Sequence, residues 1–395
     1  MLLMYLSFCD GTIQQQKQSV AFVCSQFNPG GAEFTTSQLL NLLQTNFSTY
    51  LIVNENETIW FKVPEQTQIL RLNSSNVSAQ LLSFQSIFNI QKFIFVESWN
   101  ISILRSSIHL QQDQVYFLST LPLLTVFQSS INQSSENEIF KQQLFTFKNI
   151  SKVICTTKQD AALWSQFSAN AVYIPTPLNN KLKRISQNDL EPNVIVIGTM
   201  DQFQRRTNLA VDSFYQIQKK INAKLFLVGS GANGMKSALL ELAKIYKMEQ
   251  KVKILDFYEN IELFYEQGAV LLSCGEYGQM KTRQQAKEYG MPVVSYKKPA
   301  EFNQEGEIIV DNEDQMAEET VKLLTDFEYR RTAVENGYKA VEDINNDLIT
   351  YNWIQILNGQ EIEQTLPKVT KKELMERIKE VDLDIFTLFE FMEEE

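Results

Sequence analysis

One stretch of the chain, residues 271–296, combines residue types with a chemical use: LLSCGEYGQMKTRQQAKEYGMPVVSY. An apolar run ends in a small-residue turn carrying Glu276 and Gly278; a polar segment of helical length follows, and Gly290-Met291-Pro292 introduces a second apolar run. The pattern predicts a right-handed βαβ unit whose loop opens where ligands of open α/β sheets bind. A loop entering a helix leaves backbone N–H groups unpaired and aims the positive end of the helix dipole outward, so residues Gly278 to Thr282 could cradle a phosphate. Lys281 adds a mobile charge there, while Glu276 and Gln285 could accept hydrogen bonds from sugar hydroxyls. A plain crossover with solvated polar residues is the competing reading of the same stretch. Near the amino terminus Asn28-Pro29-Gly30-Gly31 follows another buried-strand run. Gly30 and Gly31 permit close backbone approach to a ligand, or make a tight strand-to-helix turn.

The elements that must position these residues are legible around them. Short apolar runs at 19–25, 50–53, 68–72, 92–96, 115–118, 152–155 and 171–174 predict a first α/β domain over residues 19–178, after an extension over 1–18. A polar linker over 179–193 precedes a clearer alternation. Strands are expected at 194–198, 225–231, 252–257, 269–273 and 307–310, and Ala210, Phe214, Ile217 and Ile221 mark one helix face. This second domain covers 194–352, and a helical segment with an acidic tail covers 353–395 and could pack back across the hinge. Trp99, Trp164 and Trp353 read as packing aromatics.

Composition bounds the partners. With 395 residues two domains are the default, and 44% apolar with 21% charged residues is a globular mix. A formal charge of −11 disfavours nucleic acid, so any anion must be held by local groups. The cysteines Cys9, Cys24, Cys155 and Cys274 lack metal or disulfide spacing and are expected to be reduced thiols. With His109 as the single histidine, His-cluster zinc chemistry is excluded, and no metal or cofactor is expected. The opening residues make a poor signal peptide and no later run is long enough to span a bilayer, so a cytoplasmic protein is expected, with peripheral membrane attachment left open.

Taken in order, the Gly30-Gly31 turn with Glu33, Ile174-Pro175 before the linker, the strand ending at Gly198 with Arg205-Arg206 shortly after, Gly229-Ser230-Gly231, Ser273 with Glu276, and Gly290-Met291-Pro292-Val293-Val294 resemble the GT-B glycosyltransferases of family four, the glycosyl transferases group 1. The likeness covers residues 19 to 358. It implies two Rossmann-like domains with parallel sheets facing across a cleft, an acceptor mostly on the first and a nucleotide-sugar donor mostly on the second. It also implies metal-independent transfer with retention of configuration, to a glycan, lipid or protein acceptor. On this reading Arg205, Arg206, Lys281 and the helix start at Gly278 and Thr282 hold the diphosphate, Glu276 contacts the transferred sugar, Gln285 holds the ribose, and Gly30 and Gly31 approach the donor phosphate or acceptor.

The chain departs from the family pattern at three places. Of the two glutamates usually eight positions apart, the second is replaced by Gln285 and the first falls on Tyr277, one residue from Glu276. The usual Gly-Arg pair reads Gly198-Thr199, and the histidine common near the donor has no counterpart, since His109 precedes its strand. A non-catalytic GT-B protein that binds a sugar, a nucleotide or a partner glycosyltransferase is therefore the alternative.

Overall fold

The computed structural model describes residues 17–73, 75–96, 109–120, 146–147, 149–167, 170–179, 191–201, 205–231, 234–256, 260–275, 279–297, 304–370 and 372. Two parallel sheets carry it. In the first, strands β1 (Ser19–Val23), β2 (Ser48–Asn54), β3 (Gln68–Leu72), β4 (Lys92–Val96), β5 (Val115–Ser119), β6 (Lys152–Cys155) and β7 (Ala171–Tyr173) lie in the order 3-2-1-4-5-6-7. In the second, β8 (Asn193–Ile197), β9 (Lys224–Val228), β10 (Val252–Leu255), β11 (Val270–Ser273), β12 (Val293–Tyr296) and β13 (Ile308–Val310) lie in the order 10-9-8-11-12-13. Every pairing is parallel. Both orders reverse direction beside the first strand of their sheet, which opens a crevice at the carboxyl ends of the strands.

The central strands form where the sequence is nearly continuously apolar, because helices cover both faces of a parallel sheet there, while the edge strands β3 and β10 keep exposed polar residues. Helices α1 (Gly31–Leu43), α2 (Val77–Phe88) and α3 (Lys158–Phe167) belong to the first domain. Helices α4 (Thr207–Gln218), α5 (Met235–Ile245), α6 (Glu262–Gln267), α7 (Met280–Glu288), α8 (Glu313–Thr325) and α9 (Phe327–Lys339) belong to the second. Ala210, Phe214 and Ile217 of α4 are buried as the spacing required, in one cluster with Val194 and Leu225 of the sheet.

The carboxyl-terminal segment does return across the hinge. Helix α10 (Asn346–Leu357) buries Ile349, Trp353, Ile356 and Leu357 in the core of the first domain, with the Trp353 ring 6.2 Å from Phe22. Lys152 then pairs with Glu361 at 2.9 Å, and the Tyr173 N–H donates to Gln364 at 2.9 Å. The expected helix beyond Trp353 stops at Leu357: residues 360–370 are neither helix nor strand and lie along the first domain through these polar anchors. Trp164 and Trp353 are both buried, as packing aromatics should be, and Cys24, Cys155 and Cys274 are buried cysteines outside any disulfide. Trp99, Cys9 and the acidic tail lie outside the described residues. Among the described residues no helix is long and apolar enough to cross a membrane.

The ends of β8 and β9 meet at two glycines. The Gly198 N–H donates to Val228 and the Gly229 N–H to Leu255, each at 3.0 Å, with φ of 138° and 144°. A Cβ on Gly229 would stand 2.1 Å from the Gly198 carbonyl oxygen. Backbone cannot yield as a flexible side chain would, so Gly229→Ala is expected to cost about 3 kcal/mol and to push the two strand ends apart. A thermal melt overlapping that of the unsubstituted protein would contradict it.

Candidate active site

The two domains enclose a cleft of about 1540 Å³. Its second-domain wall is made by the carboxyl ends of β8 and β9 (Gly198, Thr199, Gly229, Ser230), by Asp256 after β10, and by α7. Its first-domain wall is made by the turn at Gly30-Gly31, by Glu33, Phe34, Trp60 and Phe61, and by the start of α3.

Helix α7 is organised by Gln279, which holds a left-handed conformation at φ 61° just before it. Its side chain accepts from Ser273 Oγ at 2.7 Å and donates to the Ile197 carbonyl at 3.0 Å, fastening α7 to β11 and β8 together. The Gln279 amide is thereby spent on the sheet and does not cap the helix. Arg283 makes the first backbone bond of the ladder, to Gln279 at 2.9 Å, so the N–H groups of Met280, Lys281 and Thr282 precede it at the positive end of the dipole. This end forms part of the cleft wall.

The residues singled out in the sequence divide. Gly30, Gly31, Arg205, Lys281, Thr282 and Gln285 line the cleft; Arg206 is not among its described lining residues and instead takes a left-handed conformation at the start of α4. Glu276 and Gly278 lie outside the described residues. His109 is exposed before β5 and is not among the described lining residues. The Arg205 N–H is held by the Asp201 carboxylate at 3.0 Å, which fixes the backbone from which its guanidinium extends.

Lys281 is not a mobile surface charge: it is 6% exposed, because its stem fills the junction between the domains. Its ammonium donates to the Pro177 carbonyl, sits 5.7 Å from the Phe34 ring and lies 3.9 Å from Glu288. Burial pulls its pKa down to about 8, with Glu288 opposing. Around it Gln284 bonds Thr176 and Glu288, and the Asn179 N–H donates to Glu288 at 3.1 Å. Five polar residues thus clamp the crossover between domains onto α7, a role that a sequence cannot show because the partners are a hundred positions away.

Gln285 is 5% exposed. Its Oε1 accepts from the Tyr265 hydroxyl at 3.1 Å, while its Nε2 is buried with no hydrogen-bond partner among the described residues. A buried amide donor left unmade is costly, so this wall of the cleft calls for an acceptor.

Sequence reasoning missed Glu33 as a site group. Its carboxyl folds back over Gly30, where a Cβ would stand 2.2 Å from Oε2, and it lines the cleft. Burial raises its pKa from 4.5 to about 7; its own N–H opposes this and nearby Glu57 adds to it. Between those values the folded protein holds a proton that the unfolded chain has released, so this group's contribution to stability falls as pH rises from 4.5 to 7. Glu33→Gln removes that dependence: its melting temperature relative to the parent is expected to be more favourable at pH 8 than at pH 4. An offset independent of pH would contradict the assignment.

Comparison with known proteins agrees with this geometry. The fold is GT-B, the two-domain architecture of Anabaena HepE solved with UDP and glucose (TM-score 0.68, 13% identity, 87% of this chain and all of that one). WaaG, a glycosyltransferase of lipopolysaccharide biosynthesis, is similar over 86% of this chain and all of its own length, with a TM-score of 0.66 and 11% identity. Residues 191–326, most of the second domain, match the family described as glycosyl transferases group 1. The amylovoran biosynthesis glycosyltransferase AmsD of Erwinia amylovora is 25% identical over 232 residues. That alignment takes in 55% of this chain and 65% of AmsD, just under two-thirds of the relative's length.

Proposed function

We propose that this protein is a glycosyltransferase that takes a sugar from a nucleotide-sugar held on the second-domain wall and passes it to an acceptor on the first-domain wall. The observation that carries this reading is the start of α7, not capped by its own Gln279, placed with Arg205 in a cleft whose opposite side is the Gly30-Gly31 turn. Three backbone donors and a guanidinium suit a diphosphate that gains charge as it leaves, and they act without reorganisation because the fold sets them in place beforehand.

The orphan Gln285 donor supports the same reading, since a ribose oxygen would complete it where the family pattern has a carboxylate accepting from the hydroxyl. Lys281 acts in this account by setting the angle between the domains, and Arg205 carries the phosphate charge alone of the two arginines. Retention of configuration, independence of a metal and the contact of Glu276 with the transferred sugar rest on the family resemblance.

The neutral Gln285 also favours a second reading, in which donor binding outlives catalysis. The two separate in one assay: the full chain is incubated with UDP-, GDP- and ADP-sugars and nucleotide release is followed. Release that rises with enzyme concentration supports transfer or its hydrolytic side reaction. Thermal stabilisation by a nucleotide-sugar without release supports the binding protein, and neither response contradicts both.

A further inference from the structure

Tyr265 of α6 is 1% exposed, sits in one apolar cluster with Ile195, Val228 and Met291, and stacks on Tyr289 with the ring centroids 5.5 Å apart. Close packing on this scale fixes the ring, and with it the hydroxyl. Two side chains of α7 meet that hydroxyl, Thr282 and Gln285, which stand three positions apart and so share one face of the helix. All three residues line the cleft.

This chain of hydrogen bonds has a direction. Burial and nearby Glu288 push the pKa of Tyr265 up, so the phenol keeps its proton; the Thr282 bond pulls the other way, as a bond accepted by the phenol oxygen does. Thr282 thus donates to Tyr265, and Tyr265 donates its own O–H to Oε1 of Gln285 at 3.1 Å. With the amide oxygen engaged, Gln285 is left to offer N–H groups, and its Nε2 has no hydrogen-bond partner among the described residues. A tyrosine–glutamine pair that served packing alone would not leave a donor unmade at 5% exposure, where the loss of its water is uncompensated.

We infer that Tyr265 is a positioning residue that locks the Gln285 amide with its donor toward the cleft, and that this pair selects a nucleotide with a ribose oxygen there over a deoxyribose. The inference rests on reading the second-domain wall as a nucleotide-sugar site and adds to it a residue that need not touch the nucleotide. A carboxylate at position 285 would accept from a ribose hydroxyl; the locked amide reverses that bond, and the oxygen of the hydroxyl is what is recognised.

The test is calorimetric binding of uridine, guanosine and adenosine diphosphates, each with its 2′-deoxy and 3′-deoxy form, to the full chain as parent, Tyr265→Phe, Gln285→Met and the double variant. Phenylalanine keeps the stacked ring and removes the hydroxyl; methionine keeps the length of the side chain and removes the amide. The parent should prefer the ribonucleotide that it binds to at least one of its deoxy forms by about tenfold. Tyr265→Phe should cut that preference by about threefold or more, and Gln285→Met should reduce it to within about twofold of none. Adding Tyr265→Phe to Gln285→Met should change it no further, because the hydroxyl acts through the amide. The preference compares two ligands on one protein, so a general loosening of the core leaves it unmoved. A preference kept in full by Tyr265→Phe overturns the inference, as does an equal effect of Tyr265→Phe in both backgrounds. A parent that binds a diphosphate and is indifferent to both deoxy forms overturns the inference alone, whereas a parent that binds none of the diphosphates overturns the donor reading with it.

Discussion

Replacing Glu307 with leucine is expected to destabilise the second domain by about 3–5 kcal/mol. Glu307 accepts from Arg283 at 2.9 Å through both oxygens, and Lys287 lies 2.9 Å away. The side chains of all three are largely buried, those of Arg283 and Glu307 at 2% and 1% exposure. Burial alone would push the Glu307 carboxyl up, but the two cations outweigh it and hold its pKa at about 2. Leucine would remove the carboxylate that sits between a largely buried guanidinium and ammonium, leaving their mutual repulsion unrelieved by it. The depressed folded value gives the pH signature: the contribution of Glu307 is fully present above about 4.5 and is lost as pH falls toward 2. The gap in stability between parent and variant should therefore be widest near neutrality and narrow in acid. Calorimetric melts at several pH values check it, and a constant gap or a variant as stable as the parent would show that the cluster does not hold α7 in place. Because α7 also presents its first turn to the cleft, the same variant should weaken nucleotide binding.

Arg205→Ala is expected to lower donor turnover by about 10²–10³-fold, the scale seen when a pre-set charge donor is removed from a developing anion. Arg206→Ala, at a neighbouring position with the same residue type, should change it by less than about threefold, since Arg206 is not among the described lining residues. The pair is informative because net charge changes equally in both variants. Steady-state kinetics with the active nucleotide-sugar distinguish them. Equal losses would mean that long-range charge, rather than a guanidinium in the cleft, carries the effect.

The βαβ order of both sheets was legible because most of the parallel strands are covered on two faces and so are mainly apolar: the runs at 92–96 and 152–155 are strands to the residue, as is the half-exposed edge run at 68–72. The return of the terminal segment was legible as a tendency, and its helical extent was not, since past Leu357 the chain is held by Glu361 and Gln364 rather than by its own ladder. Within the site, glycine turns and the start of α7 could be read from local spacing. The burial of Lys281 could not, because a lysine on a polar helix looks solvated until Phe34, Pro177 and Glu288 are brought around it. Arg205 and Arg206 look equivalent in sequence, and the left-handed turn at Arg206 separates them. Glu33 escaped for a related reason: it reads as an ordinary first-turn acid, and it becomes a cleft-lining group only once the two domains face each other.

The account stands on a nucleoside diphosphate being seated at the start of α7. A crystal structure grown with UDP tests this most directly: the account predicts the diphosphate within about 3 Å of the N–H groups of Met280, Lys281 or Thr282 and of the Arg205 guanidinium, with the ribose at Gln285. UDP ordered elsewhere on the protein, or an α7 start covered by protein side chains with the nucleotide excluded, would contradict it.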